Sequence, residues 1–231
     1  MIGYPVFEIL FFAHLGRYAG VQSDEFFLIG NTFMAIAVTG MFGMGHAIAG
    51  ERRSQTLASL LASPANRLAL FLGRALPSVV TGVGVAAAAF AICSPILGVH
   101  IGAGKLGLIA LVALAASFGC TALGLCLGAL GLRGRSVSLF ADVIGGSMLL
   151  VSGANVPLDR LPGWIQAISS AIPLTHGIEA ARLIAAGASL GDVSGLLATE
   201  AAIGLMYLLI GLAMLRVFEF EGRRAATLET S

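Results

Sequence analysis

From Leu106 to Leu132 the chain reads LGLIALVALAASFGCTALGLCLGALGL, twenty-seven residues without a charge. A helix of that length covers the roughly 30 Å of hydrocarbon in a bilayer. A helix apolar all round has to be covered on every face, and lipid does this without a protein core. Spanning as a helix also satisfies the backbone, because each N–H and C=O finds its partner within the segment. Gly124-Leu125-Cys126-Leu127-Gly128, followed by Gly131, supplies small residues that let another helix approach closely, as do Gly40, Gly43 and Gly45 earlier in the chain.

Working outward, five further apolar segments meet the same criterion: Ile2 to about Tyr18, Phe26 to Ala49, Leu68 to about Leu97, Val137 to Ser152, and Val193 to Phe218. With 58% hydrophobic and 11% charged residues, the 231-residue chain reads as a single transmembrane domain, residues 1–231, built of six membrane-spanning α-helices. The first segment lacks the basic start and small-residue cleavage site of a signal peptide. It carries Glu8, His14 and Arg17, so it is expected to pack inside the bundle or to begin near the interface.

The net charge of +1, from 13 basic and 12 acidic residues, gives no signature of nucleic-acid binding. Charge placement is informative. With both termini in the cytoplasm, Arg52, Arg53, Arg67, Arg74, Arg133, Arg135, Arg216, Arg223 and Arg224 lie inside, and only Arg17, Lys105, Arg160 and Arg182 lie outside. That is the positive-inside bias expected of a multi-pass protein with an even number of spans.

Two segments are not ordinary spans. Between the second and third apolar runs stands Glu51-Arg52-Arg53-Ser54-Gln55-Thr56-Leu57-Ala58-Ser59-Leu60-Leu61-Ala62-Ser63-Pro64-Ala65-Asn66-Arg67. Leu57, Leu60 and Leu61 recur at helical spacing, with Arg52, Arg53 and Gln55 off that stripe, which predicts a short amphipathic helix over about 51–62 at the cytoplasmic surface. Ser63 and Pro64 read as the N-cap and first-turn proline of a new helix. A basic loop touching anionic lipid is the simpler reading of Arg52 and Arg53. The second segment, about 155–187, begins Asn155-Val156-Pro157-Leu158-Asp159-Arg160-Leu161-Pro162-Gly163-Trp164. Pro157 and Pro162 break any continuous span, Trp164 suits a membrane interface, and Pro173 interrupts the apolar series that follows. A re-entrant helical hairpin on the outer side is expected there.

Together these segments resemble the membrane subunits of type-2 ABC exporters. The likeness covers nearly the whole chain and rests on Glu51, Arg52, Thr56, Leu57, Leu60, Leu61, Ser63, Pro64 and Arg67 in the first segment. In the second it rests on Pro157, Leu161, Pro162, Trp164, Pro173-Leu174-Thr175-His176-Gly177 and Arg182. The resemblance implies that the amphipathic stretch is a coupling helix docked on a separate ABC ATPase subunit. It further implies a second permease subunit, identical or homologous, a pathway at the dimer interface, and residence in a bacterial cytoplasmic membrane. ATP and Mg would then be bound by the partner ATPase, with no cofactor on this chain. Members of the family carry an amphipathic helix before the first span, whereas here the apolar run starts at Ile2.

Chemistry of the chain's own is hard to find. Gly102-Ala103-Gly104-Lys105-Leu106 lacks the leading glycine and the following Ser or Thr of a phosphate loop. His14, His46, His100 and His176 are scattered without metal-ligand spacing, and Cys93, Cys120 and Cys126 lie inside apolar runs as small fillers. The acids Glu8, Asp142 and, more weakly, Glu200 are candidates for a pathway or for structural pairs in the bundle interior, because an ionisable group in lipid is costly. His176, Glu179 and Arg182 form a candidate polar cluster in the outer segment. The expected function is an ATP-driven export permease for a small amphiphilic or drug-like substrate, and no enzyme. The alternatives are a proton-coupled transporter using Glu8 or Asp142, which lacks the repeated halves such folds often show, and a membrane-embedded enzyme.

Overall fold

A computed structural model describes residues 2–53, 67–131 and 137–228. The described residues are helical, with no strand among them. In chain order they form α1 (Gly3–Ala19), α2 (Asp24–Arg53), α3 (Arg67–Leu97), α4 (Ala103–Gly131) and α5 (Val137–Val151). A single 3-10 turn (Leu158–Arg160) then leads to α6 (Gly163–Ser169), α7 (Thr175–Ala186) and α8 (Leu190–Leu228).

Within α2, α3, α4 and α8, the segments Asp24–Gly45, Gly73–Leu97, Ala103–Leu130 and Leu190–Val217 are long and apolar enough to cross a bilayer. The first and fifth expected spans do form helices at the expected places, but α1 has 17 residues and α5 has 15. At 1.5 Å per residue these lengths fall short of the roughly 30 Å hydrocarbon core. The cause in α1 is Gly20, which adopts φ 64° and closes the helix, its N–H reaching back to Arg17. In α5 it is Gly153 at φ 83°, just past the last turn.

The expected coupling helix of about 51–62 meets a different outcome. Residues 51–53 are the last turn of α2, and 54–66 lie outside the described residues. Nothing in Ala47-Ile48-Ala49-Gly50-Glu51-Arg52-Arg53 stops a helix as proline would, so α2 runs 30 residues, about 45 Å, well beyond a hydrocarbon core.

α2 and α4 form the centre. Each packs along the other, α3 lies against both, α1 leans on α2 and α3, α5 rests mainly on α2, and α8 lies along α4. The main core joins Phe33, Ile36 and Met41 of α2 to Val112, Ala116 and Leu123 of α4, with Met148 of α5 and Ile178 and Ile184 of α7. A second cluster, Ile9, Phe27, Leu28, Ala89 and Cys93, seals α1 onto α2 and α3. The small residues act as expected between the central helices: a Cβ on Gly124 would stand 2.5 Å from the Met41 carbonyl oxygen, and one on Gly40 would stand 2.9 Å from Thr121 Oγ1. Between α4 and α8, a Cβ on Gly204 would stand 3.1 Å from Gly119 Cα. Backbones this close gain dispersion contacts that lipid cannot supply.

Candidate functional site

Polar side chains gather in two places. The first is at the end of the bundle where α1 meets α2, α3 meets α4, and α6 and α7 lie. Arg17 and Asp24 bridge the α1–α2 turn, the guanidinium Nε donating to both carboxylate oxygens at 3.0 and 2.9 Å. Lys105, at the start of α4, donates to the Ala185 carbonyl at 2.8 Å, placing a cation on the C-terminal end of α7.

Arg182 is the hub. From α7 its Nη1 donates to Gly153 O at 2.8 Å, and its Nη2 donates to Ala154 O and Phe26 O at 3.0 Å each. Its guanidinium also stacks 3.5 Å from the centroid of the Phe26 ring. One side chain thus ties α7, the link after α5 and the first turn of α2. A glycine at position 30 makes room, since a Cβ there would collide with Ala154 O and the Arg182 guanidinium. Alongside, Asn31 Nδ2 donates to Asn155 Oδ1 at 2.9 Å, and Asn155 Nδ2 donates to Leu149 O at 3.3 Å.

Glu200 of α8 holds the other end of α7. It is fully buried, and its two oxygens accept from Leu174 N at 2.6 Å and Gly177 N at 3.0 Å. These are orphan donors at a helix start, which a carboxylate satisfies while also answering the helix dipole. Leu174 stands at φ 122°, strained for a residue with a side chain, and it tolerates this with its own side chain buried and its N–H held by Glu200. Between the bundle's acid candidates, Glu200 therefore belongs to architecture.

The expected cluster of His176, Glu179 and Arg182 is not joined by hydrogen bonds of its own. His176 Nε2 lies 3.1 Å from Ser170 O, Glu179 is exposed, and no hydrogen bond or ion pair among the described residues joins the three. Helical spacing puts these residues near one another in sequence, but Arg182 turns inward toward carbonyls that only the folded link provides. The prolines act as expected: Pro157 and Pro162 stand at the N-terminal caps of the 3-10 turn and α6, and Trp164 on α6 is 68% exposed. Pro173 packs where a Cβ on Gly119 would come within 2.9 Å of it.

The second polar place is an open cleft of about 440 Å³ between α1 and α5 on the flank of α2. Glu8 and Asp142 both line it, with Tyr4, Met34, Phe42 and Gly145. Glu8 is 5% exposed, and its Oε2 has no partner, while Asp142 is exposed. A neighbouring cleft of about 400 Å³, between α1, α2 and α3, shares Tyr4, Val38 and Phe42 with the first and adds the hydroxyls of Thr39, Ser78 and Thr81. Tyr4 and Phe42 carry no charge or motif, so sequence reading alone does not single them out. Of the coupling residues, Glu51, Arg52 and Arg53 end α2 and Arg67 begins α3, at the end opposite Arg182, whereas Thr56, Leu57, Leu60, Ser63 and Pro64 lie outside the described residues.

Apolar helices of spanning length, packed through glycines and locked by buried polar groups at one end, define a helical integral membrane protein. The chain belongs to the ABC-2 type transporter family, whose model matches residues 2–185, from the entry into α1 to the last turn of α7. It is thus a permease, the membrane subunit of a transporter. No curated protein and no solved structure matches it.

Proposed function

We propose that the chain is the membrane half of an ATP-driven exporter, crossing the membrane six times with both termini in the cytoplasm. It would work as a dimer with an identical or homologous permease, above a separate ABC ATPase that binds ATP and Mg. The family match over residues 2–185 carries this reading. Arginine placement supports the orientation: Arg52, Arg53, Arg67 and Arg216 stand toward the end of the bundle away from Arg17, Lys105, Arg160 and Arg182. In this orientation α6 and α7 form an outer re-entrant hairpin, and α1 and α5 span with the help of the links that follow them. Residues 51–67 then project into the cytoplasm and dock on the ATPase. Leu57 and Leu60 would fill a groove, with Glu51, Arg52, Arg53 and Arg67 at its rim. The clefts beside Tyr4 and Phe42 have the size and mixed lining suited to a small amphiphilic or drug-like molecule.

Tagged protein purified from its own cell membranes is expected to bring down an ABC ATPase, and vanadate is expected to stop transport. Recovery without an ATPase, together with vanadate-resistant transport, overturns the reading. Replacing Glu51 and Leu57 with alanine should leave the melting temperature unchanged while ATP hydrolysis ceases to drive transport. Coupling at the native level would remove 51–67 from the docking surface.

A further inference from the structure

We infer that the cleft between α1 and α5 is a binding site for an organic cation with an apolar body. Two carboxylates enter one cavity of about 440 Å³, Glu8 from α1 and Asp142 from α5. They do so from the second turn of helices that both start at the end opposite the Arg182 hub. The described residues lining the cleft include no Lys, Arg or His, and none of the described cations pairs with either acid. Glu8 is the telling member: its side chain is almost wholly buried, yet Oε2 has no hydrogen-bond donor. Elsewhere in the bundle the buried acid Glu200 is fully answered by backbone N–H groups, so the fold can satisfy a carboxylate where one serves structure. Burying a carboxylate without a partner is expensive, and an arriving cation removes that cost.

The rest of the lining suits the remainder of such a molecule. Tyr4 offers an aromatic face, to which a cation is also attracted, and Met34, Val38 and Leu149 offer apolar surface. Tyr4, Val38 and Phe42 continue into the neighbouring cleft, which extends the apolar floor. That this cation is the transported substrate, loaded from the cytoplasmic end, rests on the exporter reading above. A lipid amine headgroup and a free amphiphilic amine share the same chemistry.

The test uses the full chain in a non-ionic maltoside detergent, with radiolabelled tetraphenylphosphonium as probe and triphenylphosphine oxide as an uncharged analogue. Saturable binding of the phosphonium is expected, weakened about tenfold or more by Glu8→Gln and by Asp142→Asn, and unchanged by Glu179→Gln on α7. Triphenylphosphine oxide should not compete. Because Asp142 is exposed, Asp142→Asn tests the site even where Glu8→Gln fails to fold. Native affinity in Asp142→Asn and in folded Glu8→Gln protein, or equal competition by triphenylphosphine oxide, overturns the proposal. Displacement by phosphatidylethanolamine but not phosphatidylglycerol identifies a lipid amine as the occupant, and no displacement by either points to a free organic cation. Binding to the chain in the absence of any ATPase keeps the site while the exporter reading is judged separately by co-purification.

Discussion

Replacing Arg182 with alanine should be among the most damaging single changes in this chain. The guanidinium serves three carbonyls and one aromatic face. The Phe26 carbonyl keeps the bond of its own helix, but Gly153 O and Ala154 O belong to buried residues of a non-helical link, and no other described donor reaches them. Each buried acceptor left unmet costs about 1–3 kcal/mol. The lost stacking on Phe26 adds roughly 1 kcal/mol. The sum is roughly 3–7 kcal/mol, and at about 2–4 °C per kcal/mol for a chain of this size the melting temperature should fall by on the order of 10 °C or more. Lysine, a point charge on a flexible stem, can reach only part of this forked set and should recover less than half of the loss. Cys93, Cys120 and Cys126 are all buried, so a thiol-reactive fluorogenic dye reports unfolding without any added label. Arg160, exposed on the 3-10 turn, provides the comparison and should melt as the native protein does when changed to alanine. An Arg182→Ala protein melting within about 2 °C of native, or an Arg182→Lys protein as stable as native, would refute the assignment of Arg182 as the tie among α2, α7 and the link.

Three further outcomes are expected. Glu200→Gln keeps the shape but turns an amide donor toward one of the two backbone donors at Leu174 or Gly177, so it should cost about 1.5–3 kcal/mol in the same melting assay, and Glu200→Ala should cost more. Gly204→Leu pushes a side chain against Gly119 and Phe118, so the α4–α8 contact must open, with a loss of about 1–3 kcal/mol and reduced yield of folded protein. In the folded chain none of the three cysteines should react with a membrane-permeant maleimide within minutes, and all three should react after denaturation, as counted by intact mass.

Much of the helical framework is legible in the sequence because hydrophobic run length and proline position act locally. Val137 to Ser152 announces α5 almost to the residue, and Pro157, Pro162 and Pro173 mark the breaks around α6 and α7. Less legible is where a helix stops for reasons of backbone conformation: α8 continues to Leu228, ten residues past its apolar stretch and through Gly222, because Glu219 to Leu228 contains mostly helix formers and no proline. Least legible are partners brought together from afar. Glu200 looks like an intramembrane acid of unknown purpose until α7 is seen to begin on it, and Arg182 looks like a neighbour of His176 until Gly153 and Ala154 are in place. Glu8 and Asp142 were recognisable singly, but their sharing of one cleft depends on α1 and α5 both lying on α2.

The hold of Glu200 on α7 has a mechanical side. α8 is one uninterrupted rod of 39 residues, about 58 Å end to end, and its hydrogen-bonded grip on Leu174 and Gly177 lies near one tip. The rod packs along α4, and beyond Glu200 it contains no proline and no Gly/Ser pair, so a tilt applied at its far end would be carried along it. The start of α7, with its strained Leu174, would then feel a displacement of the far end of α8, because Glu200 stands between the two.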